Sequence, residues 1–178
     1  MKYFSINVFI IVVSLLISCR DNGHAKKTKK SNSFQHNSTT LKQNSKDYLI
    51  AWSENDTLLI RASTTQNFIR NVNGKNVSYN QQDLLEAMHL WHRAMPDIIL
   101  IDKEINVFDN RSYVNWECTG TNTGMFGKTP PTGKVGHTKG ISILTFNDDG
   151  KIIHESSYFD MLSFMEDLGY TLSIPVMN

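Results

Sequence analysis

The sequence predicts an α+β domain, helices first and antiparallel strands after, and three observations carry the prediction. Apolar residues between Asp47 and Met95 cluster three and four apart, the spacing of helices that bury one face. After Pro96 the pattern changes to long β-branched stretches separated by short turns. Helices in one run and strands in the next place the helices together on one face of a sheet. With 178 residues, 40% of them apolar and 20% charged, the chain has material for one ordinary domain with its own core.

The folded part is expected to begin near Asp47. In YLIAWSENDTLLIRASTTQNFIRNV the apolar clusters are interrupted around Ser53 to Asp56, which predicts two short helices. Beyond Asn73-Gly74 and VSYN, Asn80 with Asp83 offers a capped start to a further helix, and Pro96 marks its end. Leu84, Met88, Trp91 and Met95 fall on one stripe of it. Then come IILIDKEINV, a turn at FDNR, SYVNWECTG, GHTKGISILTFN, a turn at DDG and KIIHESSYF, all read as strands. DMLSFMEDLG closes the chain as a short amphipathic helix ending at Gly169.

The first residues belong to a different kind of segment. MKYFSINVFIIVVSLLISCR has one early cation, Lys2, and an apolar run too short for a spanning helix, so residues 1–18 read as an export signal outside the fold. The end of the run, Leu16-Ile17-Ser18-Cys19, resembles the lipobox of bacterial lipoproteins, which implies lipidation of Cys19 and a chain anchored to a membrane of the bacterial cell envelope. An ordinary secretory signal with an incidental cysteine is the other reading. Residues 19–46 are rich in Ser, Asn, Thr and Lys, too polar to repay the entropy of ordering, and are expected to be a flexible tether. Residues 47–178 are then the domain. A formal net charge of +1, with the cations not massed on that domain, argues against a nucleic-acid partner.

Few residues offer cofactor or metal chemistry. GTNTGMFGKTPPTGK, residues 120 to 134, contains two Gly-Lys pairs, but Asn122 and Lys128 stand where a phosphate loop needs its first glycine, and a strand follows instead of a helix. The stretch is a strand-to-strand connection, stiffened by Pro130 and Pro131, that can border a pocket. His89 and His92 share a helical face without the further ligands a metal site needs. Cys118 sits in the alternating VNWEC as a small core residue. No cofactor is expected. Trp52, Tyr79, Trp91 and Trp116 supply bulk for a core or an aromatic wall for a ligand.

AMPDIIL, GTNTGMFGKTPPTGK and FNDDGKIIHESSYFDMLSFMEDLG resemble, in order and spacing, the SnoaL-like polyketide cyclase or ester cyclase branch of the nuclear transport factor 2-like superfamily. The resemblance covers about Tyr48 to Leu172. It implies a cone-shaped barrel, a curved and mainly antiparallel sheet wrapped around helices, with a deep apolar pocket at the open end. It also implies an aldol-type cyclisation without metal, in which an aspartate acts as general acid/base, and that aspartate aligns with Asp160. Homodimerisation through the sheet is common in the superfamily.

At Asp160 two readings stand. A carboxylate flanked by Tyr158 and Phe159 would be partly desolvated, its pKa raised toward proton abstraction next to a carbonyl; the same residue also precedes the last helix and would serve as its N-cap. His154 shares strand parity with Ser156, Tyr158 and Asp160 and is the weaker proton-transfer candidate. Asn122 and Asn71 occupy positions where family members commonly have histidine, and asparagine hydrogen-bonds without exchanging protons. Asn71, Tyr79, Trp91, Trp116, Asn122, Phe126 and Tyr158 are the expected ligand contacts. The ligand is then a hydrophobic, carbonyl-containing small molecule, either transformed at Asp160 or simply bound.

Overall fold

A computed structural model describes residues 38–171 and 173 of the chain. The expected export signal, Cys19 and most of the expected tether lie outside those residues. The described chain runs α1 (Ser38–Glu54), α2 (Thr57–Ser63), β1 (Thr64–Val72), β2 (Lys75–Ser78), α3 (Gln81–Ala94), β3 (Ile99–Phe108), β4 (Arg111–Thr121), β5 (Val135–Phe146), β6 (Ile152–Phe159) and α4 (Met161–Asp167). One curved six-stranded sheet has the order β2-β1-β6-β5-β4-β3. Every neighbouring pair is antiparallel except β1 with β6, so the sheet is mixed and the α+β expectation holds.

The fold begins earlier than Asp47. Residues 38–46, assigned from composition to the tether, form the first turns of α1, where Leu41 and Ser45 are buried with Tyr48, Leu49 and Trp52. Those spacings of three and four make a core-facing stripe. Ser45 hides among apolar neighbours because its hydroxyl donates to the Leu41 carbonyl at 2.7 Å and pairs with the Ser112 hydroxyl at 2.7 Å, which removes the cost of burying it.

The second predicted helix is half right. Asp56 caps α2 by accepting from the amides of Leu58 and Leu59, each at 2.9 Å, but the helix stops at Ser63 and TTQNFIRNV is strand β1. β-Branched Thr64 and Thr65 favour the extended chain. The decisive signal is Asn73-Gly74, both at positive φ, 50° and 86°, which is the two-residue turn that folds β1 back onto β2 as a hairpin. Asn71 secures that turn by accepting from the Gly74 amide at 2.9 Å.

Helix α3 matches its expectation. Asn80 accepts from the Asp83 amide at 2.9 Å and Asp83 accepts in return from the Tyr79 amide at 2.8 Å, a reciprocal cap. Leu84, Met88 and Met95 are wholly buried. The four later strands also fall where the β-branched stretches place them. At the C-terminal end α4 is closed by Gly169 at φ 91°, and the helix lies across β5, where a side chain at Gly136 would collide with Phe164 and Leu168.

Candidate ligand pocket

Between the concave face of the sheet and α1, α3 and α4 lies a cavity of about 210 Å³. Its walls are apolar: Leu49, Val72, Trp91, Leu100, Phe159 and Phe164 are among the residues that face it. Trp116 reaches into it because β5 has no side chain at Gly140, where a Cβ would stand 2.4 Å from the indole Cζ2. Trp91 is backed by Phe126, ring centroids 4.7 Å apart, and by Phe164 at 6.0 Å.

Polar atoms gather at one place in this wall. Glu155, 2% exposed, accepts on Oε2 from Arg70 Nε at 2.8 Å and from the Tyr48 hydroxyl at 2.8 Å. Its Oε1 accepts from the Ser142 hydroxyl at 2.7 Å, and Ser142 in turn accepts from Trp116 Nε1 at 3.0 Å. The Arg70 guanidinium stacks on Trp52, 4.5 Å from the ring centroid. Register explains the meeting: Arg70 on β1 lies beside Glu155 on β6, and Ser142 on β5 lies beside Ser157, so the inward side chains of three adjacent strands converge beneath Tyr48 of α1.

Burial and charge pull in opposite directions here. Burial first, and then the Glu155 carboxylate, hold the Tyr48 phenol well above its ordinary range. Burial would weaken the hold of Arg70 on its proton, but Glu155 outweighs it and the net direction is up. Cys118, which also faces the cavity, is pushed by burial up to about 12 and stays a neutral thiol.

The residues picked out from sequence divide sharply. Trp91 and Trp116 line the cavity, as does Trp52, while Phe126 supports the wall from behind. Asn71, Tyr79, Asn122, Tyr158, His154 and Asp160 do not line it. Asn71 is the hairpin staple, and Tyr79 is largely exposed beside the α3 cap. Asn122 is buried but spends itself locally. Its Nδ2 donates to the carbonyls of Ala94 at 3.1 Å and Gly124 at 2.9 Å, and its Oδ1 accepts from the Thr132 amide at 3.0 Å and hydroxyl at 3.1 Å. The 120–134 connection is thereby clamped to the end of α3, and Gly124 is needed there because a Cβ would sit 1.8 Å from the Arg93 carbonyl oxygen.

Asp160 is exposed and caps α4, accepting from the Ser163 amide at 3.0 Å and hydroxyl at 2.6 Å. The Ser163 hydroxyl and then its amide hold the carboxyl below the usual range, the reverse of the elevation expected for a desolvated base. His154, Ser156 and Tyr158 do share a face of β6, but it is the outer one. The cause is a bulge. Phe146 pairs with Ile152 while Thr145 pairs with His154, so Ile153 is an extra residue and the alternation changes phase across it. Ile152 points into the core, and after the bulge Glu155, Ser157 and Phe159 point inward. Tyr48, Arg70, Ser142 and Glu155 were therefore absent from the expected site. Among the described residues no cluster of three or more His, Cys, Asp or Glu could hold a metal ion.

Solved structures share this architecture. AclR from Streptomyces galilaeus, a proposed hydroxylase, superposes with a TM-score of 0.66 at 23% identity over 78% of this chain and 90% of that one. IdmH from Streptomyces antibioticus, a proposed polyketide cyclase, gives 0.63 at 15% identity over 73% and 99%. An LEH-like epoxide hydrolase from M. tuberculosis gives 0.59 at 11% over 74% and 90%. At such identities the likeness is one of fold. No curated protein sequence matches the chain significantly. The model of the SnoaL-like polyketide cyclase family matches residues 43–168, most of the chain and all of the pocket-forming elements from the middle of α1 to the end of α4, and the chain belongs to that family.

Proposed function

We propose that this domain binds a hydrophobic, carbonyl-containing small molecule in the cavity and serves as a binding module for it. The apolar walls supply the affinity, and the Arg70 guanidinium, which makes its ion pair through Nε, brings further N–H donors to a wall whose others are the indoles of Trp52, Trp91 and Trp116. One observation favours binding over proton transfer. Glu155 is the sole carboxylate among the described residues lining the cavity, and three protein donors, one of them cationic, take about three of the four acceptor positions on its two oxygens, which leaves little room for a substrate proton. A general base must present a free lone pair to the proton it removes. Asp160, which has such lone pairs, lies outside the cavity lining, so an aldol-type reaction at that residue draws no support from its placement.

Native mass spectrometry of protein purified from its own membrane tests the binding reading, with a retained organic molecule expected and repeated absence of one counting against it. Turnover of enolisable esters and ketones by wild type and Asp160→Asn tests the rival; a rate in the wild type that collapses in the variant would reinstate Asp160 as acid/base. Anchoring through lipid on Cys19, supported by the sequence of the first nineteen residues, belongs to the same proposal, as does pairing of two copies through the outer sheet face, where Ile101 and Tyr158 are exposed. A lipid-bearing Cys19 peptide and a dimer mass in solution are the respective readouts.

A further inference from the structure

We infer that Glu155 sets the charge selectivity of the cavity, so that it accepts an uncharged carbonyl compound, such as an ester or ketone, and rejects the corresponding carboxylic acid anion. The inference rests on the proposed binding role and adds the chemical class of the polar end of the ligand. Among the described residues, four titratable side chains face the cavity: Tyr48, Arg70, Cys118 and Glu155. The phenol and thiol are neutral, for the reasons of burial given above, and the other two form an ion pair at 2.8 Å. The lining therefore sums to zero charge. Its one cation offers hydrogen-bond donors but no surplus positive charge.

A carboxylate entering such a site loses its water and finds no counter-ion. It could bond the remaining N–H groups of Arg70 only by sharing that cation with Glu155, which Tyr48 and Ser142 hold in place beside it, and the buried site would then carry one uncompensated negative charge. A neutral carbonyl oxygen needs a donor and no counter-charge, so the Arg70 guanidinium suffices. Removing the negative charge while keeping the shape should reverse the preference. Glu155→Gln leaves an amide oxygen for Arg70 and Tyr48, and the lining then carries a net positive charge from Arg70.

Three probes of one ring system separate the possibilities by calorimetry at pH 7: methyl naphthoate, naphthoate and methylnaphthalene. Wild type is expected to bind the ester at least tenfold more tightly than the carboxylate. Glu155→Gln is expected to raise carboxylate affinity at least tenfold while the ester changes by less than about threefold. Equal or tighter binding of the carboxylate by wild type, with the hydrocarbon also bound, overturns the charge inference and leaves the hydrophobic pocket standing. Failure of all three probes to bind sinks the pocket reading and the inference with it. The wild-type comparison needs no variant, so an unstable Glu155→Gln protein would not rescue the idea.

Discussion

Arg70→Met should damage the protein more than the loss of an ion pair would suggest. Arg70 and Glu155 side chains are 14% and 3% exposed, so the carboxylate left behind could not recover its water. It would keep Tyr48 and Ser142 as donors but lose its counter-ion, and breaking a buried pair in this way costs ~3–5 kcal/mol. Loss of the guanidinium stacked on Trp52 adds up to about 2 kcal/mol. For a domain of this size the sum corresponds to a fall in Tm of the order of 10 °C or more. The double variant Arg70→Met/Glu155→Gln removes the stranded charge and should recover most of the loss, since replacing both ions by groups of similar shape is often nearly neutral. Urea unfolding of the four proteins of the cycle measures each step. A single-variant loss below about 1 kcal/mol would refute the reasoning, because it would mean that water reaches Glu155; a double variant no better than Arg70→Met would refute the coupling.

Asn122→Ala should cost ~1–3 kcal/mol in the same assay, because the Thr132 amide and the Gly124 carbonyl lose partners around a side chain only 1% exposed; a loss under about 0.5 kcal/mol would show that the clamp is dispensable. Asp160 titrates with a known sign: its carboxyl is depressed in the folded state, so its contribution is complete above the ordinary carboxylate value of about 4 and disappears as pH falls through the folded value. The gap in Tm between wild type and Asp160→Asn should thus be constant from neutral pH down to about 4 and close below it, and a gap that closes instead near neutrality would indicate a raised pKa and a catalytic carboxyl.

Most of the fold is legible because its elements declare themselves locally. The strands β4 and β5 alternate, β3 and β6 are β-branched runs beside short turns, α3 has its cap residues in place, and Gly169 stops α4. The errors came where two local signals competed. Leu41 is a lone apolar residue in a polar stretch, so composition hid the two turns of α1 that it anchors. In TTQNFIRNV the apolar spacing fitted a helix, and only the Asn73-Gly74 turn, read together with β-branched Thr64 and Thr65, gives the hairpin.

The site was less legible, for a reason that turns on one residue. The alternation in IIHESSYF was recognised, but its sense is reset by Ile153, whose insertion against Thr145 and Phe146 is a property of pairing with β5 and not of β6 alone. Counting inward from Ile152 carries His154, Ser156 and Tyr158 to the pocket. Counting past the bulge carries Glu155, Ser157 and Phe159 there instead, and the structure places those three in the lining. Once Glu155 is inside it requires a cation, and β1 supplies Arg70 in register. A segment read as helix could not have announced that partner. The two misreadings are linked: without β1 there is no neighbour to satisfy a buried glutamate, so nothing in the sequence points to Glu155, whereas Asp160 comes from the family alignment.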